Sequence, residues 1–369
     1  MTTKLWANSG DSHLLESEDV FTSSMPAALA QRMPRSEKFD GYELVHVDGE
    51  IIRRTLPKPI REGELKGMAL ADASFRAPGS RDMAKRLVDL DQEGIWAEVV
   101  YPSLGMWAAL LFDPVLVREA CTALNDWSWN EVASAGGRLV PTASLPLLVI
   151  DDSIAELQRC AAVGFRAVFL PTVPPKGRPL WNDEEWDPLW AAADEAHMRI
   201  AFHIGTDGEN IVFRGRGGAI LNFAETTYGG QRAVAQLISS GAFDRHPDLK
   251  VLVSEGGATW VPFLGDRMNE IVRQQPFFVW PKLKMLPKEY MNQNVYASFQ
   301  HDETAIPTMT AMGYRNVMFG SDYPHLEGTY GHTQDTLHHL FDGVDVDVRE
   351  RITTGAFLEL FPHVGAAPG

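Results

Sequence analysis

Four stretches of the 369-residue chain place acids and imidazoles where apolar runs end. They are Asp11-Ser12-His13, His203 after Ile200-Ala201-Phe202, Glu255 after Val251-Leu252-Val253-Ser254, and Asp322 with His325 in Gly320-Ser321-Asp322-Tyr323-Pro324-His325. Carboxylates and imidazoles converging from separate segments can share a divalent cation, which polarises a bound carbonyl or activates a water. A carboxylate ending a buried strand is costly unless paired or metal-bound, which gives Glu255 a functional reading. An ion pair with Arg267 is its plain structural alternative.

Asp11, His13 and Glu16 form a D-x-H-x-x-E spacing. The period-two alternation of a strand puts Asp11 and His13 on one side, with Glu16 beyond the strand end and able to fold back. A helix cap or a solvated face explains Glu16 equally well. His301, in Ser298-Phe299-Gln300-His301-Asp302, follows another predicted strand and adds a further ligand, whereas Glu327 lies outside the set. The expected metal ligands are therefore Asp11, His13, Glu16, His203, Glu255, His301, Asp322 and His325, with His325, Asp322 and Glu255 as catalytic groups. Arg214 and Arg216, in Arg214-Gly215-Arg216-Gly217-Gly218, are candidates for binding substrate phosphates or a carboxylate, against the alternative of solvated loop charges.

These side chains meet only if the intervening segments form a frame. Short β-branched runs alternate with longer helical patterns from Trp96 onward, the order of repeated βα units around a parallel sheet. Predicted strands are Ala97–Tyr101, Leu139–Ala143, Ala167–Leu170, Ile200–His203, Val251–Glu255, Val295–Ser298 and Val317–Gly320. A first strand ending near Asp11 makes eight. The expected fold is an α/β (β/α)8 TIM barrel, whose strand C-termini form the catalytic rim. Helical patterns lie at Asp113–Ser134, Ile154–Val163, Trp186–Ala196 and Ala233–Ser240. A single domain over 1–369 is expected, with an irregular, Pro-containing insertion at about 17–79 that carries a hairpin at Tyr42–Arg54 turning on Asp48-Gly49. The aromatic stretch Phe263–Tyr290 reads as a lid, a subunit contact or an ordinary loop with one helix.

Composition narrows the functional classes. Lys and Arg number 33 against 49 Asp and Glu, a formal charge of −16, which excludes a nucleic-acid binder driven by charge. At 45% hydrophobic and 22% charged residues the chain has material for a large core. Cys121 and Cys160 alone argue against a disulfide framework or a thiolate zinc site and fit a reducing cytoplasm. No apolar run reaches the roughly 18 to 20 residues of a spanning helix, and Met1–Gly10 lacks a signal-peptide pattern, so a soluble, unexported chain without a membrane partner is expected.

At the strand-end residues the sequence resembles the amidohydrolase superfamily, and more closely its second large family, that of aromatic-acid decarboxylases and related proteins. Asp11-Ser12-His13 looks like that family's first-strand metal motif, His203 its fifth-strand His, Glu255 its sixth-strand position and Asp322 its eighth-strand Asp. The sequence departs from the better-known hydrolases in having Asp11 for the first His of H-x-H and Glu255 for the sixth-strand His. Phe169-Leu170-Pro171 also lacks the Lys whose carbamate bridges two metals. More carboxylate in the donor set favours iron or manganese over zinc.

Trp6–His13, Trp96–Pro102 and Gly320–His325 together look like an actinobacterial branch that includes a barrel-fold nonheme diiron monooxygenase of platensimycin and platencin diterpenoid biosynthesis. The resemblance to this branch implies two Fe ions, O2 as cosubstrate and an external electron donor. It further implies hydroxylation of an unactivated carbon on a CoA-linked terpenoid or acyl substrate in antibiotic biosynthesis. Trp107, Trp260, Phe263 and Phe277 would keep such a pocket dry, and a homodimer is the family expectation. The alternative is one Mn²⁺ or Zn²⁺ serving nonoxidative decarboxylation or hydrolysis, with His325 or Asp322 passing protons. A binding protein with a vestigial site is a third class, which metal analysis separates from both.

Overall fold

The computed structural model describes residues 3–55, 77–103, 111–206, 213 and 215–367. Its frame is the expected eight-stranded parallel α/β barrel. The first stave is in two pieces, β1 (Ala7–Ser9) and β2 (His13–Leu14). An inserted sheet follows, of β3 (Arg35–Phe39), β4 (Tyr42–Val47) and β5 (Glu50–Thr55). The other staves are β6 (Ile95–Pro102), β7 (Leu139–Ser144), β8 (Ala167–Pro171), β9 (Arg199–His203), β10 (Val251–Ser254), β11 (Val295–Phe299) and β12 (Val317–Phe319). Each runs parallel to its neighbour, and both pieces of the first stave pair with β6. Backbone bonds join the last stave to the first: Gly10 N donates to Phe319 O at 2.7 Å, His13 N to Tyr323 O at 2.6 Å and Asp322 N to Asp11 O at 3.0 Å.

The staves read as near-continuous apolar runs because parallel strands are buried on both faces. Residues facing inward, among them Val99, Tyr101, Phe169, Ala201, Leu252 and Met318, form an inner core. At the strands' N-terminal end this core meets the helix Ala356–Leu360, where Phe357 packs edge-on against Trp96 at 5.5 Å. Helices cover the outside. Pro114–Val132 starts at an Asp113 cap that accepts from Val115 N and Leu116 N, with Pro at its first position. The helix Gly218–Ser239 is much longer than the predicted Ala233–Ser240 segment.

The inserted hairpin turns as expected. Val47 pairs with Glu50, and Asp48 (φ 47°) and Gly49 (φ 85°) both take the left-handed conformation that a two-residue turn between twisted strands requires. Val45 and Val47 pack on Val20, Leu116 and Leu124, tying the insertion to the barrel's helical layer. Insertion residues 56–76 lie outside the described residues. The stretch after the tenth strand contains two helices, Trp260–Gln274 and Pro287–Asn294. Trp260 is buried, but Phe263 (67% exposed) and Phe277 (77%) face outward, so these two cannot dry a pocket; Trp107 lies outside the described residues. Among the described residues no helix is long and apolar enough to cross a membrane.

Candidate metal centre

Asp11 and His13 sit at the C-terminal end of the first stave because the chain bulges between β1 and β2. Gly10 is needed in that bulge: a Cβ there would lie 2.7 Å from Met318 Sδ and 2.9 Å from Ser298 Cβ. Ser9 Oγ fastens the bulge to the eighth stave, donating to Asp11 O at 2.6 Å and accepting from Ser321 N at 2.8 Å. His203 ends β9, Glu255 follows β10 and Asp322 follows β12. Glu255 (φ 62°) and Asp322 (φ 51°) both hold left-handed backbone, sparsely populated by residues other than Gly. Two such residues at one barrel mouth mark a site where side-chain placement outweighs local backbone preference.

The donor atoms converge. His13 Nε2 lies 3.1 Å from His203 Nε2, 3.4 Å from Asp322 Oδ1 and 3.7 Å from Asp11 Oδ1, while Asp11 Oδ1 is 3.3 Å from His203 Nε2. Two ligands sharing a cation at about 2.1 Å stand roughly 3.0 Å apart in octahedral and 3.4 Å apart in tetrahedral geometry. The observed spacings therefore suit a shared ion. The surroundings of the polar atoms point the same way: among the described residues the buried Asp11 carboxylate meets only imidazole, His203 Nε2 at 3.3 Å and His13 Nε2 at 3.7 Å from Oδ1, and Asp322 Oδ2 has no hydrogen-bond donor. Buried carboxylates need a counter-charge. His203 Nδ1–H donates to Ile204 O at 2.8 Å, which turns the Nε2 lone pair toward the other donors.

Electrostatics divides the imidazoles. Burial, together with the neighbouring His325 and His203, holds His13 well below the usual histidine value. Burial alone would lower His203 too, but the Asp11 carboxylate and Glu255 outweigh it and raise it to about 10. For His325, burial is likewise outweighed by Asp322, whose Oδ1 lies 2.8 Å from its Nδ1, and the value rises to about 9. Burial and the Asp322 charge push the Glu255 carboxyl well above the ordinary carboxylate range.

Three groups of donors within mutual reach emerge among the described residues: Asp11, His13 and His203; His13, Asp322 and His325; and Glu255, Asp322 and Glu327. Six of the eight predicted ligands thus come together. Glu16 is buried but joins none of these groups. His301 also stands apart, its Nε2 donating to Glu327 O at 3.2 Å and its ring stacked 6.0 Å from His332. Arg267 bonds Glu270, so the salt-bridge alternative for Glu255 is not realised. Arg216 is exposed at the start of the helix Gly218–Ser239, and Arg214 lies outside the described residues.

Sequence reasoning missed the residues behind the first stave. Arg86, on the helix Met83–Glu93, bonds Glu98 of β6 at 2.5 Å, both fully buried. Asp89 on the same helix accepts from Tyr323 Oη at 2.6 Å. A signal existed: Arg86 falls three residues after Met83 and four before Leu90 on a buried face, and Glu98 interrupts the apolar run Ile95–Pro102. Opposite charges at core positions of consecutive elements announce a buried pair.

The family model for amidohydrolases matches residues 79–361. The chain belongs to amidohydrolase family 2. The chain is 25% identical over 248 residues to 2-amino-3-carboxymuconate-6-semialdehyde decarboxylase of Dictyostelium discoideum, covering 65% of this chain and 66% of that one. It is 24% identical over 281 residues to gamma-resorcylate decarboxylase of Rhizobium sp., covering 69% and 84%. A solved amidohydrolase from Mycobacterium avium subsp. paratuberculosis superposes with a TM-score of 0.79 at 21% identity, covering 97% of this chain and all of that one. Dihydroxybenzoic acid decarboxylase from Polaromonas sp., solved with bound manganese and the inhibitor 2-nitroresorcinol, gives 0.64 at 18% identity with 98% of each chain covered.

These amidohydrolase relatives overturn the oxygenase expectation. The two curated relatives and the manganese-bound structure are decarboxylases, so the diiron monooxygenase reading, with two Fe ions, O2, an external electron donor, a CoA-linked substrate and a place in antibiotic biosynthesis, gives way to the alternative of one Mn²⁺ or Zn²⁺ serving decarboxylation or hydrolysis. The oxygenase expectation came from the branch resemblance of Trp6–His13, Trp96–Pro102 and Gly320–His325, and the physical reason it misled is that carboxylates and imidazoles at a barrel rim serve a decarboxylase's single ion as well as an oxygenase's pair.

Proposed function

We propose that the chain is a metal-dependent, nonoxidative decarboxylase of an aromatic carboxylic acid. The observation that carries this reading is the convergence of Asp11, His13, His203 and Asp322, two buried carboxylates facing imidazole nitrogens at 3.3 to 3.7 Å. In a family whose curated matches are decarboxylases, that arrangement suits a divalent cation. Oxygen and imidazole donors favour a hard or borderline ion such as Mn²⁺, and the two thiols, Cys121 and Cys160, are buried outside the donor groups. When bound, the cation supplies Lewis-acid polarisation of the substrate's carboxylate and adjacent oxygen.

The protein's own groups then manage charge and protons. Glu255 Oε2 lies 3.7 Å from His203 Nε2, and burial with the neighbouring Asp322 charge favours the protonated form of its carboxyl. It delivers that proton to the ring carbon bearing the carboxylate. The bond from this carbon to the carboxylate then breaks, its electron pair returns to the ring and CO2 leaves. Neither oxidant nor reductant is consumed, and Glu255 regains its proton from solvent. His325, protonated beside Asp322, presents positive charge at the mouth for the substrate anion.

The test is CO2 release from a panel of hydroxylated benzoates by manganese-loaded protein, with and without oxygen. The expected result is one CO2 for each carboxylate lost, at the same rate in both atmospheres. Release that requires oxygen, or none from any acid, overturns the reading.

A further inference from the structure

Two of the proposed ligands are borne on backbone that one buried charge cluster holds from behind. Arg86 directs all three guanidinium nitrogens at fixed acceptors: Nε to Glu98 Oε1 at 2.5 Å, Nη1 to His13 O at 2.8 Å and Nη2 to Ser12 Oγ at 3.0 Å. Ser12 Oγ donates onward to Val99 O at 2.7 Å, locking the ligand-bearing dipeptide to β6. The guanidinium also sits over the Tyr323 ring, 4.8 Å from its centroid. Tyr323 follows Asp322, and its hydroxyl is held by Asp89 one turn along the same helix. Gly79 N donates to that Asp89 oxygen at 2.9 Å, and a Cβ on Gly79 would lie 2.2 Å from Arg86 Cα. The chain therefore admits only Gly where the insertion returns to the barrel.

We propose that Arg86 is a positioning residue that sets the spacing of His13 and Asp322, and through it the affinity and geometry of the metal centre. The inference rests on the metal-binding part of the function proposed above. A buried ion pair is weak as a source of net stability, because desolvating both charges offsets most of their attraction. What Arg86 adds is direction. Its planar fork reaches the His13 carbonyl and the Ser12 hydroxyl together, a geometry a lysine ammonium cannot reproduce. Outer partners that orient ligands typically carry about ten- to a hundredfold in metal affinity.

The experiment uses Co²⁺ as the probe on the full chain, comparing wild type with Arg86→Met/Glu98→Leu and with Arg86→Lys. The double substitution removes both charges of the pair, so Glu98 is not left as a lone buried carboxylate, and Asp89 keeps its hydrogen bonds from Tyr323 Oη and Gly79 N. Folding is checked by circular dichroism, and Co²⁺ affinity and the visible d–d spectrum are then measured, neither requiring turnover. We expect a folded double variant with affinity reduced about ten- to a hundredfold and a shifted spectrum. Arg86→Lys should fold and share much of that loss. A folded double variant with wild-type affinity and spectrum overturns the inference while leaving the metal site intact. Failure of the double variant to fold also overturns it, since the cluster would then serve the fold. Absence of Co²⁺ binding by wild type removes the metal-centre reading itself, and the inference with it.

Discussion

The Nε2 atoms of His13 and His203 stand 3.1 Å apart in a fully buried site. At that separation both imidazoles cannot be charged, and the surroundings decide which gives way. His13 is held well below the usual value by burial and by its imidazole neighbours. For His203 the Asp11 carboxylate outweighs burial, and the value rises to about 10. In the metal-free protein at neutral pH, His203 is therefore the proton carrier and His13 the neutral base.

Metal binding must then expel the His203 proton. Calorimetry of Mn²⁺ binding in buffers of different ionisation enthalpy should report about one proton released per ion. The sign follows from the raised pKa: below about 10 the metal competes with a proton, so apparent affinity should climb about tenfold per pH unit from pH 6 to 8. Affinity independent of pH, with no proton release, would show that His203 is not a ligand.

Stripping the metal with a chelator should abolish CO2 release, and Mn²⁺ should restore it. His203→Ala and Asp11→Ala should lose more than the roughly ten- to hundredfold in metal affinity that outer-partner substitutions cause. Glu16→Gln and His301→Ala should retain metal within a fewfold of wild type, because neither joins the donor groups. Metal content after desalting distinguishes the two sets.

The contrast between these two sets also marks what the sequence made legible. Staves such as Leu139–Ser144 and Val295–Phe299 fall within a residue or two of their predicted ends, because a strand buried on both faces leaves an uninterrupted apolar run. The first stave was visible only by its end. Ala7–Ser9 is short and partly polar, and the stave is held by backbone bonds to Phe319 and Tyr323 rather than by an apolar pattern of its own. His203, Glu255 and Asp322 were legible because the barrel rule converts strand ends into a common rim. That rule fixes where a chain segment arrives and is silent on direction. Glu16 and His301 accordingly lie near the rim in sequence and apart from the cluster in space. Arg86 and Glu98 went unread because each looks like an isolated charge until the helix and strand are laid side by side.

Glu255→Gln should separate binding from chemistry. Glutamine matches the shape of the protonated carboxyl but has no acidic proton to give, so kcat should fall about 10²- to 10⁴-fold with KM nearly kept. The sign of the pH effect follows from the direction of the shift. Burial and Asp322 raise Glu255, so activity requires the protonated acid and declines as pH rises through its value. A bound cation draws that value down, placing the alkaline limb between the ordinary carboxylate range and the metal-free one. The residual activity of Glu255→Gln should lack this limb, and a limb that survives would assign the proton to another group.

Tyr101→Phe tests a neutral contact in the same neighbourhood. Tyr101 Oη lies 2.6 Å from Ser254 Oγ, which donates to Gly10 O at 2.7 Å, so the pair links β6, β10 and the bulge carrying Asp11. Its ring lies edge-on to His203 at 4.8 Å. Phenylalanine keeps that packing and leaves the Ser254 bond to Gly10 in place, so only one uncharged hydrogen bond is lost. Stability should fall by about 0.5–1.5 kcal/mol in urea unfolding of the metal-free protein, with Co²⁺ affinity changed less than by the Arg86 variants. A loss of affinity as large as theirs would mean that the bulge is held from inside the barrel as firmly as from behind it, and would move the control of ligand spacing from Arg86 to Ser254.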